Sequence, residues 1–396
     1  MPVRLIGRED VMACEKIQSI AFAYSLDLRE LEGILSREPE PPDPYIGHFD
    51  GEGNLTACME LPEYKIRYEG GWARMTGIAG VASLPECRFG GAVRQLVQFA
   101  FQRMRQSGAL FSALYPFSHA FYRQFGFELC QFSAEYEIPA EALAPFRCMA
   151  GVRMVQPGAP LDALKAVFSA RFSEFNLAIE REDRRWRGIL GKDPYKERIY
   201  AYLLEEGGAP IAYVVLSPED DGPGKIGNVR EIAFAQPRAL AQAFGFLYRL
   251  SAQYGKFRMY LPGVPLVSLL GESYALRGNL HSPHGQPMAR AIDVRGALER
   301  KRHFDGARYS LRVRDEMISE NDGLFSVECE GGRVRVAQAG GIEPDLTADV
   351  RTMTQLLLGF SSIDDALYRE DVCVSGNLET LRRVFVRRPV YLTEHF

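Results

Sequence analysis

Two adjacent glycines, Gly90 and Gly91, stand between a strand-like run and a helix-like run, and this junction constrains the fold more than any other stretch. Met75 to Leu84 alternates as a strand does, and Pro85 to Gly91 carries loop residues. Ala92 to Met104 is apolar at 93, 97, 100 and 104, the spacing of one helix face. Ser107-Gly108 ends the helix, Ala109 to Tyr115 reads as a buried strand, and Ser118 to Gln124 as a short helix. A glycine loop running into a helix N-terminus presents several backbone N–H groups without intrahelical partners, together with the positive end of the helix dipole. Glycine lets an anion approach that backbone closely, so the junction suits a pyrophosphate, with Arg88 or Arg94 completing the charge balance.

The middle third repeats the order. Strands over Tyr200 to Leu204 and Pro210 to Leu216 flank Gly207-Gly208, and strand Val229 to Phe234, helix Arg238 to Gln253 and strand Phe257 to Leu261 follow. Here the helix starts directly after Pro237, so only the first copy keeps a glycine loop. From about Gln286 the pattern changes. Strands Phe325 to Glu330 and Arg333 to Gln338 join at Gly331-Gly332, and helical patterns follow at Asp349 to Leu358, Ile363 to Tyr368 and Leu378 to Val386. The chain of 396 residues is long enough for two or three domains, and the expected class is α+β. Upstream, Val11 to Ala23 reads as a helix, followed by a loop with the proline run from Pro39 to Pro44; Tyr45 to Phe49 and Leu55 to Leu61 read as a hairpin.

With 47 basic against 51 acidic side chains, the net charge of −4 provides no overall attraction for nucleic acid or an anionic membrane, and neither is expected as a partner. Seven scattered cysteines form no CxxC pair, and the N-terminal stretch lacks a long apolar run, so the reading is a cytoplasmic protein with reduced thiols. No metal is expected, since His281 and His284 lie in a loop-like stretch with no third ligand. Gly222 to Gly227 has the dinucleotide-loop spacing, but no helix follows it, and it reads as a surface loop. The Asn54 sequon and the arginines at 382, 383, 387 and 388 are read as a random match and a solvated helix face.

One strand after the glycine loop comes Phe121-Tyr122-Arg123-Gln124-Phe125-Gly126-Phe127. Loop and segment together resemble the GCN5-related N-acetyltransferases, in which an Arg/Gln-x-x-Gly-x-Gly/Ala loop holds the coenzyme A pyrophosphate and a later Phe-Tyr-x-x-x-Gly-Phe segment puts a tyrosine near the thioester. Arg88, Gly90 and Gly91 match the loop, while Val93 stands where the family has Gly or Ala. The whole chain resembles the enhanced-intracellular-survival (Eis) type, including Pro287-Met288-Ala289-Arg290-Ala291-Ile292-Asp293-Val294 and the stretch from Arg388 to Phe396. That resemblance implies two tandem acetyltransferase folds, residues 1–145 and 146–285, the second degenerate. A sterol-carrier-like domain over 286–396 follows.

It also implies acetyl-CoA as donor. Val81, Ala82 and Ser83, the loop and helix start from Arg88, Phe89, Gly90, Gly91 and Ala92 to Val93 and Arg94, and then Phe117 and Ser118 would hold the donor. By the same resemblance, Tyr122 is the general acid and the α-carboxylate of Phe396 the general base. The acceptor is a small-molecule or peptide amine: an aminoglycoside, a polyamine or a lysine side chain. Asp27 and Glu394 are candidates to meet its charge, with Phe22 and Tyr24 walling the pocket. A symmetric homo-oligomer, a hexamer in the specific case, is also implied. The alternative is a non-catalytic acyl-CoA-binding or lipid-binding protein.

Overall fold

The computed structural model describes residues 2–37, 44–191, 193–221, 224–277 and 286–396. The chain divides into two compact units, one made of residues 1–131 and 283–396, the other of residues 132–282.

The first unit opens with β1 (Val3–Leu5), α1 (Arg8–Phe22), α2 (Leu28–Arg37), β2 (Tyr45–Phe49), β3 (Leu55–Glu60), β4 (Glu63–Tyr68), β5 (Gly71–Gly77) and β6 (Ala79–Ser83). Then come α3 (Ala92–Gln106), β7 (Phe111–Leu114), α4 (His119–Arg123) and β8 (Glu128–Leu129). The expected strand over 75–84 is two strands in different sheets. β5 pairs in parallel with β7 as far as Gly77 and Ala113, whereas β6 pairs with β3 at the edge of the sheet β1-β2-β3-β6. The handover occurs at Ile78, whose N–H still donates to Ala113 O at 2.9 Å. Helix α2 lies where sequence alone read a loop, begun by an Asp27 cap; the prolines at 39–42 fall outside the described residues. α3 buries Leu96, Val97, Ala100, Phe101 and Met104 against β2 and β3, which is the apolar face that its spacing predicts.

The second unit contains β9 (Glu135–Pro139), β10 (Gly151–Met154), α5 (Asp162–Phe172), α6 (Asp183–Leu190), α7 (Pro194–Glu197), β11 (Tyr200–Glu206), β12 (Ala209–Asp221) and β13 (Gly224–Phe234). It ends with α8 (Pro237–Tyr248), β14 (Lys256–Tyr260), α9 (Leu266–Leu270) and β15 (Ala275–Arg277). One seven-stranded sheet runs β10-β11-β12-β13-β14-β9-β15, with α5 and α8 packed on its long central hairpin. The expected boundary at residue 145 falls inside this unit, because β9 pairs with β14 and β15. Residues 224–227 are strand rather than surface loop: Gly227 pairs with Phe257, and a Cβ there would meet the Phe257 ring at 2.5 Å.

The chain then returns to the first unit with β16 (Met288–Ala291), which enters the sheet β4-β5-β7-β16-β8 between β7 and β8. Against the expected boundaries two strands change sides: β9 precedes residue 145 yet joins the second unit's sheet, and β16 follows residue 285 yet joins the first unit's. The remainder, α10 (Val294–Arg300), β17 (Arg308–Arg314), β18 (Gly323–Glu330), β19 (Arg333–Gln338), β20 (Leu346–Asp349), α11 (Val350–Leu358), α12 (Ile363–Ala366), β21 (Cys373–Val374) and α13 (Leu378–Val384), forms an α+β layer on the sheet β19-β18-β17-β20-β21. Helix α11 starts from Asp349, whose Oδ1 accepts from Arg351 N and Thr352 N, and it packs on β16 and β8. The last segment thus shares a unit with the first.

Candidate active site

The site is built where β5 hands over to β6. Past Ile78 the two strands flanking the junction part company: β7 keeps β5 and β16 as neighbours, and β6 keeps only β3. An edge of β6 is therefore left with backbone donors and acceptors available to an extended ligand. Register with β3 slips by one residue, Cys58 facing Ala82 but Glu60 facing Ala79, so Gly80 and Val81 oppose a single residue in a bulge. Gly80 takes φ +54°, and its carbonyl accepts from Gln18 Nε2 at 3.2 Å. Within the expected donor-binding run, Ala82 is buried against β3 while Val81 and Ser83 are partly exposed.

After Ser83 the chain makes one 3-10 turn, Pro85 to Cys87, and enters α3 through Phe89 at φ +66° and Gly91 at φ +82°. Gln95 N donates to Gly91 O, the first bond of the helix, so the N–H groups of Ala92, Val93 and Arg94 have no intrahelical partner. No side chain caps this end and no acidic residue stands in its first turn. Open space lies where a Gly91 Cβ would be. Arg88 and Arg94 are exposed, and neither guanidinium is bonded to a described residue. Val93, the departure from the family pattern, packs toward the core and leaves the helix mouth clear. Backbone N–H groups, helix dipole and two exposed guanidinium groups give this helix mouth the chemistry to receive an anion. Phe89 is wholly exposed beside it.

Tyr122 lies on α4, started by Ser118, whose hydroxyl accepts from Phe121 N at 3.3 Å. Only 4% of Tyr122 is exposed; its ring meets Phe117, Phe121 and Phe127 edge-on, and its hydroxyl bonds to no described residue. Burial pushes the phenol well above the ordinary tyrosine range, so it holds its proton at neutral pH. Phe117 is exposed and its ring lies tilted against Phe121 at 5.0 Å.

The last residues reach the same handover point. Leu392 N donates to Gln131 Oε1 at 2.6 Å, and Tyr115 Oη donates to Glu394 O at 3.2 Å. His395 stacks on Tyr115 with centroids 4.0 Å apart, and the Phe396 ring lies 4.9 Å from Tyr64 and 6.0 Å from Tyr115. A Cβ on Gly77 would fall 2.6 Å from Phe396 Cε2. The terminal ring thus rests on bare backbone one residue before Ile78. Gly77, Tyr64, Tyr115 and Gln131 were not anticipated; a glycine inside a strand pattern is the one signal of close approach that sequence offered.

The candidate acceptor residues have local ties. Asp27 Oδ1 accepts from Arg29 N and Glu30 N as the cap of α2. Tyr24 Oη donates to Glu15 Oε2 at 3.0 Å, and burial together with that carboxylate pushes its phenol up to about 12. Phe22 is exposed on α1, whereas Glu394 is buried. Among the described residues no group of three or more His, Cys, Asp or Glu is placed to hold a metal, and no helix is long and apolar enough to cross a membrane. His281 and His284 lie outside the described residues.

Two acetyltransferase (GNAT) domain models match residues 2–130 and 177–290, and a sterol carrier protein domain model matches 294–393. The chain belongs to the GNAT acetyltransferases. Two acetyltransferase segments followed by a sterol carrier segment make up the Eis-type layout, and the protein is an acyltransferase enzyme. Solved structures share the fold over the full chain. A GCN5-related N-acetyltransferase from Anabaena variabilis has TM-score 0.85 at 19% identity, covering 100% of both chains. One from Kribbella flavida has TM-score 0.80 at 19%, covering 100% of this chain and 98% of its own. Eis1 from Mycobacterium abscessus has TM-score 0.79 at 19%, covering 100% of both. No curated protein matches the chain.

Proposed function

We propose that the enzyme transfers the acetyl group of acetyl-CoA directly to a primary amine, with Tyr122 donating to the leaving thiolate and the Phe396 α-carboxylate accepting the amine proton. The observation that carries this reading is the seating of Phe396 on Gly77, at the point where β5 and β6 change sheets. The GNAT family supplies acetyl-CoA as donor. Its pyrophosphate would take the mouth of α3 with Arg88 and Arg94, and its pantetheine arm the free edge at Val81 to Ser83, where a backbone N–H polarises the thioester carbonyl.

The amine must reach the carbonyl neutral, yet a free alkyl amine has a pKa of about 10.4. A carboxylate at the end of the chain, directly or through water, removes that proton, a role worth roughly 10² to 10⁴ in rate. The nitrogen then forms its bond to the acetyl carbon, the C–S bond breaks with its electron pair on sulfur, and the thiolate takes up, through water, the proton that the new amide nitrogen sheds. Tyr122 is at hand and protonated, but its raised pKa makes it a weak acid toward a thiolate whose conjugate acid lies near ~8.5. Its contribution is a hydrogen bond that strengthens as charge develops on sulfur.

The acceptor is an aminoglycoside, a polyamine or a peptide lysine, with Glu394 and Asp27 as candidate counter-charges beside Phe22 and Tyr24. Seven free cysteines fit a cytoplasmic setting, and a homo-oligomer is expected by light scattering as a mass several times 44.4 kDa. The test of function is CoA release from acetyl-CoA with each amine class and with none. Amine-dependent release supports transfer and ranks the acceptors. Acetyl-CoA binding without release from any amine supports the acyl-CoA-binding alternative instead.

A further inference from the structure

We infer that Arg290, on the exchanged strand β16, is a positioning residue for Tyr122, acting through the turn that closes helix α4. This inference rests on the reading of Tyr122 as the group that donates to the thiolate.

Helix α4 ends in a tight double turn. Gly126 N donates to Arg123 O at 3.0 Å and Phe127 N to Tyr122 O at 3.3 Å, with Gly126 at φ +80°. That pattern is a Schellman closure, and Tyr122 is the residue whose carbonyl anchors it. The closure leaves the Phe125 carbonyl pointing out of the helix end. Arg290 Nη1 donates to it at 2.5 Å. Gly126 is required twice over, by its positive φ and because a Cβ would lie 1.6 Å from Arg290 Nη1 and 2.9 Å from Val350 Cγ1.

Arg290 is fully buried and is itself fixed from three sides. Its Nη2 donates to both oxygens of Asp315, at 2.6 and 2.7 Å, a bidentate pair with neither side chain exposed. Its guanidinium carbon lies 4.6 Å from the centre of the Phe101 ring on α3. Asp315 Oδ1 also accepts from Met317 N and Ile318 N, and Asn321 Nδ2 donates to Asp315 Oδ2. Asn321 in turn accepts from Val294 N and donates to the carbonyls of Ala291 and Ile292, beside β16. The Arg290–Asp315 pair is fully buried, so the Phe125 carbonyl is held by a guanidinium that is itself anchored by a carboxylate. The end of α4 is thereby tied to the segment after β17, in the sterol-carrier-like part of the chain. Lysine at 290 keeps the charge and has no second donor arm in a fixed plane, so it can satisfy Asp315 or Phe125 O but not both in this geometry.

The test is a double-mutant cycle on the full-length protein between Arg290→Lys and Tyr122→Phe, with Asp315→Asn as a second, shape-conserving perturbation of the same fork. Steady-state rates with acetyl-CoA and the fastest amine of the panel above are the first readout. The 19F resonance of 3-fluorotyrosine placed at position 122 is the second and needs no turnover. The expected result is a fall in kcat of roughly tenfold to a hundredfold for Arg290→Lys with the KM for acetyl-CoA within about twofold, as a displaced catalytic group produces. That loss should largely vanish in the Tyr122→Phe background, and the 19F resonance should move in both Arg290→Lys and Asp315→Asn. An unmoved resonance in both variants, or losses that multiply independently of Tyr122, would overturn the inference. If Tyr122→Phe itself leaves kcat unchanged, the reading of Tyr122 as donor fails, and a shifted resonance then shows only that Arg290 sets the ring's position.

Discussion

The two acetyltransferase-like units share their strand order and part at one junction. In each, a strand runs parallel to its neighbour for a few residues, Gly77 opposite Ala113 in one and Val229 opposite Met259 in the other, and then leaves it with a bulge. The first unit has Gly80 and Val81 in its bulge, followed by an eight-residue loop from Leu84 to Gly91 and an uncapped helix. The second puts Glu231 beside its bulge, held by Arg181 at 2.7 Å and by Tyr213 at 2.5 Å. Arg181 is buried over the rings of Phe168 and Trp186. Only Ala235 and Gln236 separate β13 from α8, and Pro237 at the first helical position removes one donor. The comparison teaches that strand order builds the cleft, and that small residues and loop length decide whether it stays open.

Chemistry at the first junction gives the largest expected effects. A one-residue alanine extension after Phe396, whose ring rests on Gly77, turns its α-carboxylate into a peptide group, and kcat should fall by about 10³ while acetyl-CoA binding by calorimetry is retained. Retained turnover in that variant would remove the terminal carboxylate from the mechanism. Tyr122→Phe should lower kcat by about 10² without a matching change in the acetyl-CoA KM. Because burial raises the Tyr122 pKa, its protonated form persists as pH rises, and the wild-type rate should show no Tyr122-dependent decline before the pH passes about 10, the ordinary tyrosine value. A decline nearer neutrality that disappears in Tyr122→Phe contradicts that burial.

Much of this junction was readable beforehand, because glycines at a helix entrance and a helix face of regular spacing are local signals. Arg88 and Gly91 were named from that local pattern, whereas Tyr122 was named only through the family resemblance of the segment Phe121 to Phe127. What sequence could not supply was non-local. Met75 to Leu84 alternates without a break, yet Ile78 divides it between two sheets, since the division is set by β7 and β3 rather than by the strand itself. Gly77 and Phe396 are far apart in the chain, and no periodicity links them. The exchange of β9 and β16 escaped for the same reason: a strand's own residues specify its faces and not its partner.

Smaller effects sharpen the contrast between the units. Replacing both Arg88 and Arg94 with Ala should raise the acetyl-CoA KM by roughly tenfold to a hundredfold with little change in melting temperature, the loss of one or two charge-assisted bonds to phosphate at ~1.5–3 kcal/mol each. Arg181→Met in the second unit should do the reverse. It strands Glu231 and Tyr213 beside a buried apolar wall, at a cost of about 3 kcal/mol, and should lower a calorimetric transition by several degrees while the KM stays put. A raised KM in Arg181→Met would give the second unit a part in donor binding and break the comparison.

The smallest expected effect separates capping from recognition at Asp27. As the cap of α2 its carboxylate satisfies Arg29 N and Glu30 N, and Asp27→Ala should cost about 1 kcal/mol on that ground alone. Asp27→Asn keeps an acceptor oxygen for the cap and removes the charge. If the carboxylate also meets a cationic acceptor, Asp27→Asn should raise the polyamine KM several-fold at unchanged stability, and the rise should shrink with added salt as screening sets in. Equal KM values for Asp27→Asn and wild type, with only Asp27→Ala losing stability, would leave Asp27 a helix cap and turn the search for the acceptor's counter-charge to Glu394, which is buried near the chain end beside Tyr115.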